Sequence, residues 1–386
     1  MHASSQRTRI LFFRQGAFSN GNDRVAGWLR EQFPDLELVQ IDVLQDVIKS
    51  SRSVVWRAAA AALAAYPGRI ARRERDFRDF FFRTPYLFHA IRRMIRERCA
   101  SLAASALFSF QTQSIYDASI DGLPHFLYTD HTHLANLTYP GADHRRLYSP
   151  AWIELEHAIY RSARVNMTMS GFVQDSIIRD YHCDPARVAV VGGAPNTTIS
   201  ESAPDNDGYA NRTILFVGID WERKGGPVLV EAFRRVLQKL PDARLIIAGC
   251  SPAISLPNVE VLGRVPLPEV SRLILRSSVV VLPSLREPHG IITIEAMMHG
   301  IPTVVTRIGA MPEVVDDGQC GRVVPPGDAP ALAAALVDLL SDPLLCRQYG
   351  MAAREKARAC YTGAVVSKKI GDTIREALEY APAPAK

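Results

Sequence analysis

Long apolar runs are missing from this 386-residue sequence. The longest weakly polar stretch, "SVVWRAAAAALAAYPG", is broken by Arg57 and falls short of the roughly 20 apolar residues a membrane-spanning helix needs. The opening "MHASSQRTRILFF" runs directly into a strand-like segment. It has neither the longer apolar core nor the small-residue cleavage site of a secretory leader, so the expectation is a cytoplasmic protein. Cysteine is sparse as well. The six, at positions 99, 183, 250, 320, 346 and 360, show no CxxC spacing, which argues for reduced, mostly buried small hydrophobes and against a disulfide or zinc framework. Compact acidic pairs of the kind that hold a metal are lacking too. The one obvious "DD", Asp316 and Asp317, follows "PEVV" and reads as a turn at a helix end.

Positive charge is not scarce, but it is unevenly spread. Residues 1–150 carry 20 Lys+Arg against 14 Asp+Glu, while the remainder carries 25 against 26. The whole excess behind the net charge of +5 therefore lies in the first part. From Arg69 to Arg98 there are ten arginines, four acids and a cluster of Phe and Tyr. Arginine beside aromatics suits peripheral contact with an anionic membrane, where rings enter the interface and guanidinium groups meet headgroups. It suits nucleic acid, and it also suits a solvated helical face with ordinary core aromatics.

Length and composition fit two domains of ordinary size. "TRILFFRQGAFSNGNDRVAGWLREQFPDLELVQIDV" reads as strand, glycine-containing loop, amphipathic helix and second strand. From Ser50 to about Phe110 the pattern is helical and basic; "PHFLYTDHTH" returns as a strand, and "ARVNMTMS" and "ARVAVVGG" repeat the form. Strands alternating with helices predict a parallel sheet covered on both faces. The Pro, Ser, Asn, Asp and Gly of "APNTTISESAPDNDGYANR" mark residues 194–212 as a linker. A second series follows, "TILFVG", "RLIIAG", "VEVLG", "VVVLP" and "PTVVT", with helices between. Unbroken Val/Ile/Leu runs indicate strands buried on both faces. The predicted domains are 1–193 and 213–360, and residues 361–386 form a last helix crossing back to the first lobe, with "APAPAK" frayed.

In such sheets ligands collect beyond the carboxyl ends of the strands, and "REPHGIITIE" follows "VVVLPSL" there. A helix starting near Gly290 turns free N–H groups and a positive dipole end toward phosphate oxygens. Glu295 then lies roughly 6 to 8 Å further along, at about 1.5 Å per residue, with loop residue Glu287 on the other side of the anion. A ligand with a phosphate middle and a hydroxylated ring at each end fits, and sugar nucleotides have that shape. Arg223 and Lys224 of "IDWERKGG" supply the cations, which makes a metal unnecessary. No cofactor is expected.

"ILFVGIDWERKGGPVLVEAF", "LIIAG", "VEVLGRVP" and "VVVLPSLREPHGIITIEAMMHGIPTVVTRIGAMPEVVDDGQCGRVVPPGD" together resemble the nucleotide-sugar half of the large retaining GT-B glycosyltransferase family with an E-x7-E motif. The match runs from Ile214 to Asp328. The resemblance implies a GT-B fold, two doubly wound Rossmann-like α/β domains with a cleft between them, and an acceptor-binding first domain. It implies that Glu287 lies by the donor sugar and Glu295 binds ribose. His289 and the amides of Gly290, Ile291 and Ile292 would contact the donor, Lys224 would meet the diphosphate, and Gly263, Arg264 and Val265 would border the base. Many members carry an arginine directly after the "VG" of the first strand; this sequence has Ile219, and Arg223 is the candidate replacement.

In the first half, Gly16 and Gly21 of "RQGAFSNGN" resemble the family's glycine loop near the diphosphate and acceptor; as a P-loop the stretch fails, because Asn22-Asp23 stands where Lys-Ser/Thr is required. In "LYTDHTHLANL", His131 falls where the family places a histidine facing the donor sugar, and His133 competes for that role. A metal site of Asp130, His131 and His133 lacks a fourth ligand. Ser170 reads as a helix cap. The implied activity is transfer of a sugar from a nucleotide diphosphate sugar to a hydroxyl. The expected acceptor is a membrane lipid or lipid-linked saccharide, at the inner face of the plasma membrane, in surface polysaccharide or glycolipid synthesis. The rivals are a sugar-nucleotide epimerase or phosphorylase on the same fold and a non-catalytic sugar-nucleotide or nucleic-acid binding protein.

Overall fold

The computed structural model describes residues 8–16, 21–196 and 207–379. The first lobe carries β1 (Arg9–Arg14), β2 (Glu37–Asp42), β3 (Ala106–Thr112), β4 (His125–Thr129), β5 (Val165–Thr168) and β6 (Val188–Val190). They form one sheet in the order β2-β1-β3-β4-β5-β6, parallel throughout. The second lobe repeats the plan with β7 (Thr213–Val217), β8 (Arg244–Ala248), β9 (Val259–Gly263), β10 (Val279–Leu282), β11 (Thr303–Thr306) and β12 (Gly321–Val324). Its order is β12-β11-β10-β7-β8-β9, again all parallel.

Hydrophobic pattern explains the arrangement. Every residue of "VVVL" in β10 and "TVVT" in β11 is buried, as central strands covered by helices on both faces require. The edge strands β2 and β9 have no fully buried residue. In both lobes, order reverses beside the first strand, so the strand ends around β1 and β3, and around β7 and β10, open a crevice for a ligand. The final helix, Gly363–Glu379, returns to the first lobe, where Val366, Ile370 and Ile374 join Ile10, Phe12, Val25 and Leu29 in one buried cluster. The segment "APAPAK" and positions 197–206 of the expected linker lie outside the described residues. Among the described residues no single helix is long and apolar enough to cross a membrane.

One reading of the basic segment needs correction. Helices Arg52–Ala65, Pro67–Ala71, Phe77–Phe81 and Pro85–Ala104 end before "ALFSFQT", which is strand β3 and not the tail of a helical stretch. Its alternation is masked because all but one of its residues are buried. The aromatics also turn inward: Phe80 and Phe88 pack with Tyr66, Tyr148 and Trp152 in a core cluster, with Arg69 and Arg83 lying over those rings. Trp56 and Phe77 are the large exposed rings of this part, 77% and 41% accessible.

Candidate active site

The loop from β10 to helix Ile291–Met298 delivers Glu287. Gly290 caps that helix at φ 68°, a left-handed conformation that glycine adopts without steric cost. Glu287 is buried, and one carboxylate oxygen accepts from the backbone N of Gly290 at 3.2 Å. The other lies 2.5 Å from Lys224 Nζ and 3.6 Å from Arg223 Nη1. Burial pushes the Glu287 carboxyl up, but Lys224's charge and hydrogen bond, followed by Arg223, outweigh it and hold the group below its ordinary value. Lys224 reaches this place because Gly225, at φ 76°, lets the loop after β7 press on the end of β10. A Cβ there would stand 1.9 Å from the Pro283 carbonyl oxygen.

Lys224, Glu287 and the N-terminal end of helix Ile291–Met298 form the second-lobe wall of a cavity of about 250 Å³. The first lobe answers with Arg24, Tyr128 and Asp130. Arg24 projects from helix Asn22–Gln32 and donates to the Ala194 carbonyl at 3.2 Å; burial lowers its pKa against the opposing charge of Glu295. Asp130 is pushed up to about 6, first by burial, with its own backbone bond opposing and the charge of Glu287 adding. His289 packs on the inter-lobe backbone, where a Cβ on Gly193 would stand 2.5 Å from its Nε2. Burial takes His289 down to about 4, so the ring is neutral.

A second cavity of about 500 Å³ adjoins the first, sharing Asp130, Arg223, Glu287 and Pro288. His131 lines it, its ring near-parallel to those of Tyr139 and Phe172 at centroid distances of 5.8 and 6.4 Å; with those two rings 6.0 Å apart, the three form a triangle. Its Nδ1 is buried with no hydrogen-bond partner among the described residues, and burial lowers its pKa to about 4. His133 is committed elsewhere: its Nε2 accepts from the Tyr148 backbone N at 2.9 Å. Burial, and then Arg75 and Arg83, push it down to about 3. Among the described residues no group of three His, Cys, Asp or Glu side chains is placed to hold a metal, the Asp130, His131 and His133 grouping included.

The structure thus gathers Lys224, Arg223, Glu287, His289, Gly290, Ile291 and Ile292 around one cavity and places His131 in its neighbour. Other candidates sit apart. Gly16, at φ 60°, ends β1 outside the cavity wall, its carbonyl accepting from Asn22 Nδ2 at 2.7 Å; Gly21 lines the cavity. Gly263 ends β9, with Arg264 and Val265 just after it, further along the row of strand ends, where the Gly263 carbonyl accepts from Gly249 N at 2.7 Å. Glu295 is buried behind the wall and accepts from the backbone N of Asn196 at 3.0 Å. Ile219, where the resemblance called for arginine, is exposed.

Arg24 and three more arginines, Arg75, Arg83 and Arg286, carry no site role in the sequence, yet all line the two cavities, as does Asp130, which the sequence offered only as a metal ligand. Only proximity in space identifies them; Arg75 and Arg83 had been hidden in the basic run. Asp316 and Asp317 serve the fold, with Asp316 2.8 Å from Lys356 Nζ and Asp317 accepting from Val323 N at 3.0 Å. Ser170 occupies the cap position of helix Gly171–Arg179, but its hydroxyl makes no capping bond. Glu313 of the second lobe caps that helix instead, accepting from Gly171 N at 2.9 Å and Phe172 N at 3.3 Å.

Residues 211–342 match the family described as Glycosyl transferases group 1. The chain is 30% identical over 260 residues to alpha-maltose-1-phosphate synthase of Mycolicibacterium smegmatis, covering 58% of this chain and 66% of that protein. It is 34% identical over 187 residues to phosphatidyl-myo-inositol mannosyltransferase of Mycobacterium leprae, covering 45% and 50%. It spans between half and 66% of the length of these curated relatives. Among solved structures, HepE of Anabaena in complex with UDP-glucose superposes with a TM-score of 0.63 at 15% identity, over 95% of this chain and 99% of that one; that likeness shows the fold.

Proposed function

We propose that this chain, a member of the group 1 family of GT-B glycosyltransferases, moves a glycosyl unit from a nucleotide diphosphate sugar to an acceptor hydroxyl with retention of anomeric configuration. The carrying observation is Glu287, a buried carboxylate pinned between Lys224 and the start of a helix on the wall that two cavities share. The donor's diphosphate lies against the N-terminal end of helix Ile291–Met298, with Lys224, Arg223 and Arg24 around it. As the anomeric C–O bond breaks, negative charge grows on the diphosphate and positive charge on the sugar, and preorganised cations and amide dipoles stabilise the former. Glu287 and neutral His131 position the sugar between the cavities, and the acceptor hydroxyl approaches from the larger one. No metal is needed for this charge balance, so turnover is expected to survive chelators.

The acceptor we assign is a membrane lipid or lipid-linked saccharide. The Mycobacterium leprae relative is named for a phosphatidylinositol acceptor, and the surplus arginines of the first lobe, with exposed Trp56 and Phe77, favour an anionic interface. The test is release of nucleotide diphosphate across a panel of nucleotide sugars and hydroxyl acceptors. Release that depends on acceptor and collapses in Glu287→Ala supports the reading. A panel on which no donor binds the cavity removes it.

A further inference from the structure

The donor cavity already has Lys224, Arg223 and Arg24 for a diphosphate, yet three more guanidinium groups, Arg75, Arg83 and Arg286, face the adjoining 500 Å³ cavity. Neutral partners hold two of them. Arg75 donates to Tyr148 Oη at 2.9 Å and to the Arg146 carbonyl at 3.2 Å. Arg83 lies 5.4 Å from the Tyr148 ring centroid and 5.3 Å from that of Trp152. Arg286 stands at the exposed rim, and Arg223 donates to its backbone carbonyl at 2.8 Å. Among the described residues no carboxylate lies within ion-pairing distance of Arg75, Arg83 or Arg286.

The acids nearby offset this charge only in part. Glu156, whose charge acts on Arg83, is already held by hydrogen bonds from Tyr181, Tyr160 and the backbone N of His133. Glu287 is engaged by Lys224, Asp130 sits on the wall shared with the donor cavity, and Asp79 is exposed on the outer lip. The repulsion is felt: desolvation, then the charges of Arg75 and Arg223, lower the pKa of Arg286. Three cations lining one cleft, none with an ion-pair partner among the described residues, concentrate positive potential there. Guanidinium forks match phosphate oxygens in geometry and charge.

We infer that this cavity is the acceptor subsite and that the acceptor carries a phosphoryl group, bound by Arg75, Arg83 and Arg286, close to the hydroxyl that receives the sugar. The inference rests on the glycosyl-transfer reading for the word acceptor; the anion site itself does not. A phosphomonoester in solution and a phospholipid headgroup present the same chemistry.

Calorimetric titration with glycerol 3-phosphate tests the site, with neutral glycerol as control. Because the donor cavity is also open to phosphate, each titration is repeated on Lys224→Ala, which leaves the three arginines in place. Binding should persist in Lys224→Ala and weaken about tenfold or more in Arg83→Gln and in Arg286→Gln. It should be retained in Arg83→Lys and in the distant surface variant Arg93→Gln. Arg286 is exposed, so its variant reads the site even if Arg83→Gln fails to fold. Equal binding to wild type, Arg83→Gln and Arg286→Gln, or no binding to wild type, overturns the proposal. Vesicles containing phosphatidic acid that compete with glycerol 3-phosphate identify a lipid source, and absence of competition identifies a soluble phosphoester. A parallel titration with UDP, GDP and ADP separates the two readings: loss of all nucleotide binding with the phosphate site intact removes glycosyl transfer and leaves the anion site standing.

Discussion

Lys224 Nζ and Glu287 Oε2 lie 2.5 Å apart with both side chains largely buried, joining the loop after β7 to the loop after β10. Glu287→Ala should lower turnover by about a hundredfold or more with nucleotide binding largely kept, since the carboxylate is assigned to the sugar end of the donor. Loss of binding alone, with turnover at saturation unchanged, would contradict that role. Lys224→Ala leaves a buried carboxylate with weaker compensation and should cost on the order of 3 kcal/mol. The sign with pH follows. In the wild type the depressed Glu287 pKa contributes stability above the ordinary carboxyl value that is lost as pH falls. Without Lys224 burial dominates and raises the pKa, so the melting deficit should be largest near pH 8 and shrink toward pH 4. A deficit independent of pH in calorimetric scans sinks the pairing.

Asp130 shows the opposite sign. Its folded pKa of about 6 stands above the ordinary 3.8, so the folded protein holds this proton more tightly than the unfolded chain. The charged group costs stability in full above about pH 6 and nothing below about pH 4. Asp130→Asn should therefore raise the melting temperature at pH 8, on the order of 3 kcal/mol, with the gain gone by pH 4. Equal melting temperatures at pH 8 would rule out the buried, Glu287-facing environment.

Much of this was readable in one dimension because the physics is local. The β-runs of the second lobe are apolar without alternation, and the glycine of "REPHGIITIE" marks a helix start that its left-handed φ requires. Long-range relations were not readable. Nothing in "SLAASALFSFQT" separates helix from strand, since a fully buried strand has no alternation to display. His131 and His133 share one motif, and only the Tyr148 backbone N, 15 residues on, distinguishes the committed ring from the open one. The arginine run looked like a surface feature because its aromatics and its cavity are assembled by residues 148, 152 and 286, far along the chain.

Glu295 accepts from Asn196 N across the lobe boundary, and its assigned partner in the complex is the ribose of the donor. Glu295→Ala should weaken nucleotide diphosphate binding about tenfold, the worth of one charge-assisted hydrogen bond. Titration with the free nucleotide checks this, and unchanged affinity would remove the ribose role.

Glu313 caps helix Gly171–Arg179 from the other lobe, supplying the acceptor that Ser170 does not. Glu313→Ala should cost about 1 kcal/mol in denaturant unfolding, with Glu313→Gln retaining part of it. Because the bond crosses the cleft, the loss should appear together with faster amide exchange at residues 171 and 172. Slow exchange there in the alanine variant would show that the cap does not hold the lobes.

The two histidines should separate cleanly. His133 Nε2 satisfies a buried backbone N–H, and an orphaned buried donor costs about 1–3 kcal/mol, so His133→Ala should lower the melting temperature. His131 packs its ring beside Tyr139 and Phe172, and its Nδ1 has no hydrogen-bond partner among the described residues, so His131→Ala should fold with little loss and transfer sugar at a small fraction of the wild-type rate. Both rings are neutral at pH 7, at about 4 for His131 and about 3 for His133. Their lowered pKa values mean that each must charge against burial as pH falls, so each withdraws stability only in acid, below its ordinary value of 6.5. The rate should accordingly show no inflection near pH 6.5 from His131. A full inflection there that His131→Gln abolishes would mean that the ring titrates as if exposed, and the buried placement beside Tyr139 and Phe172 would be wrong.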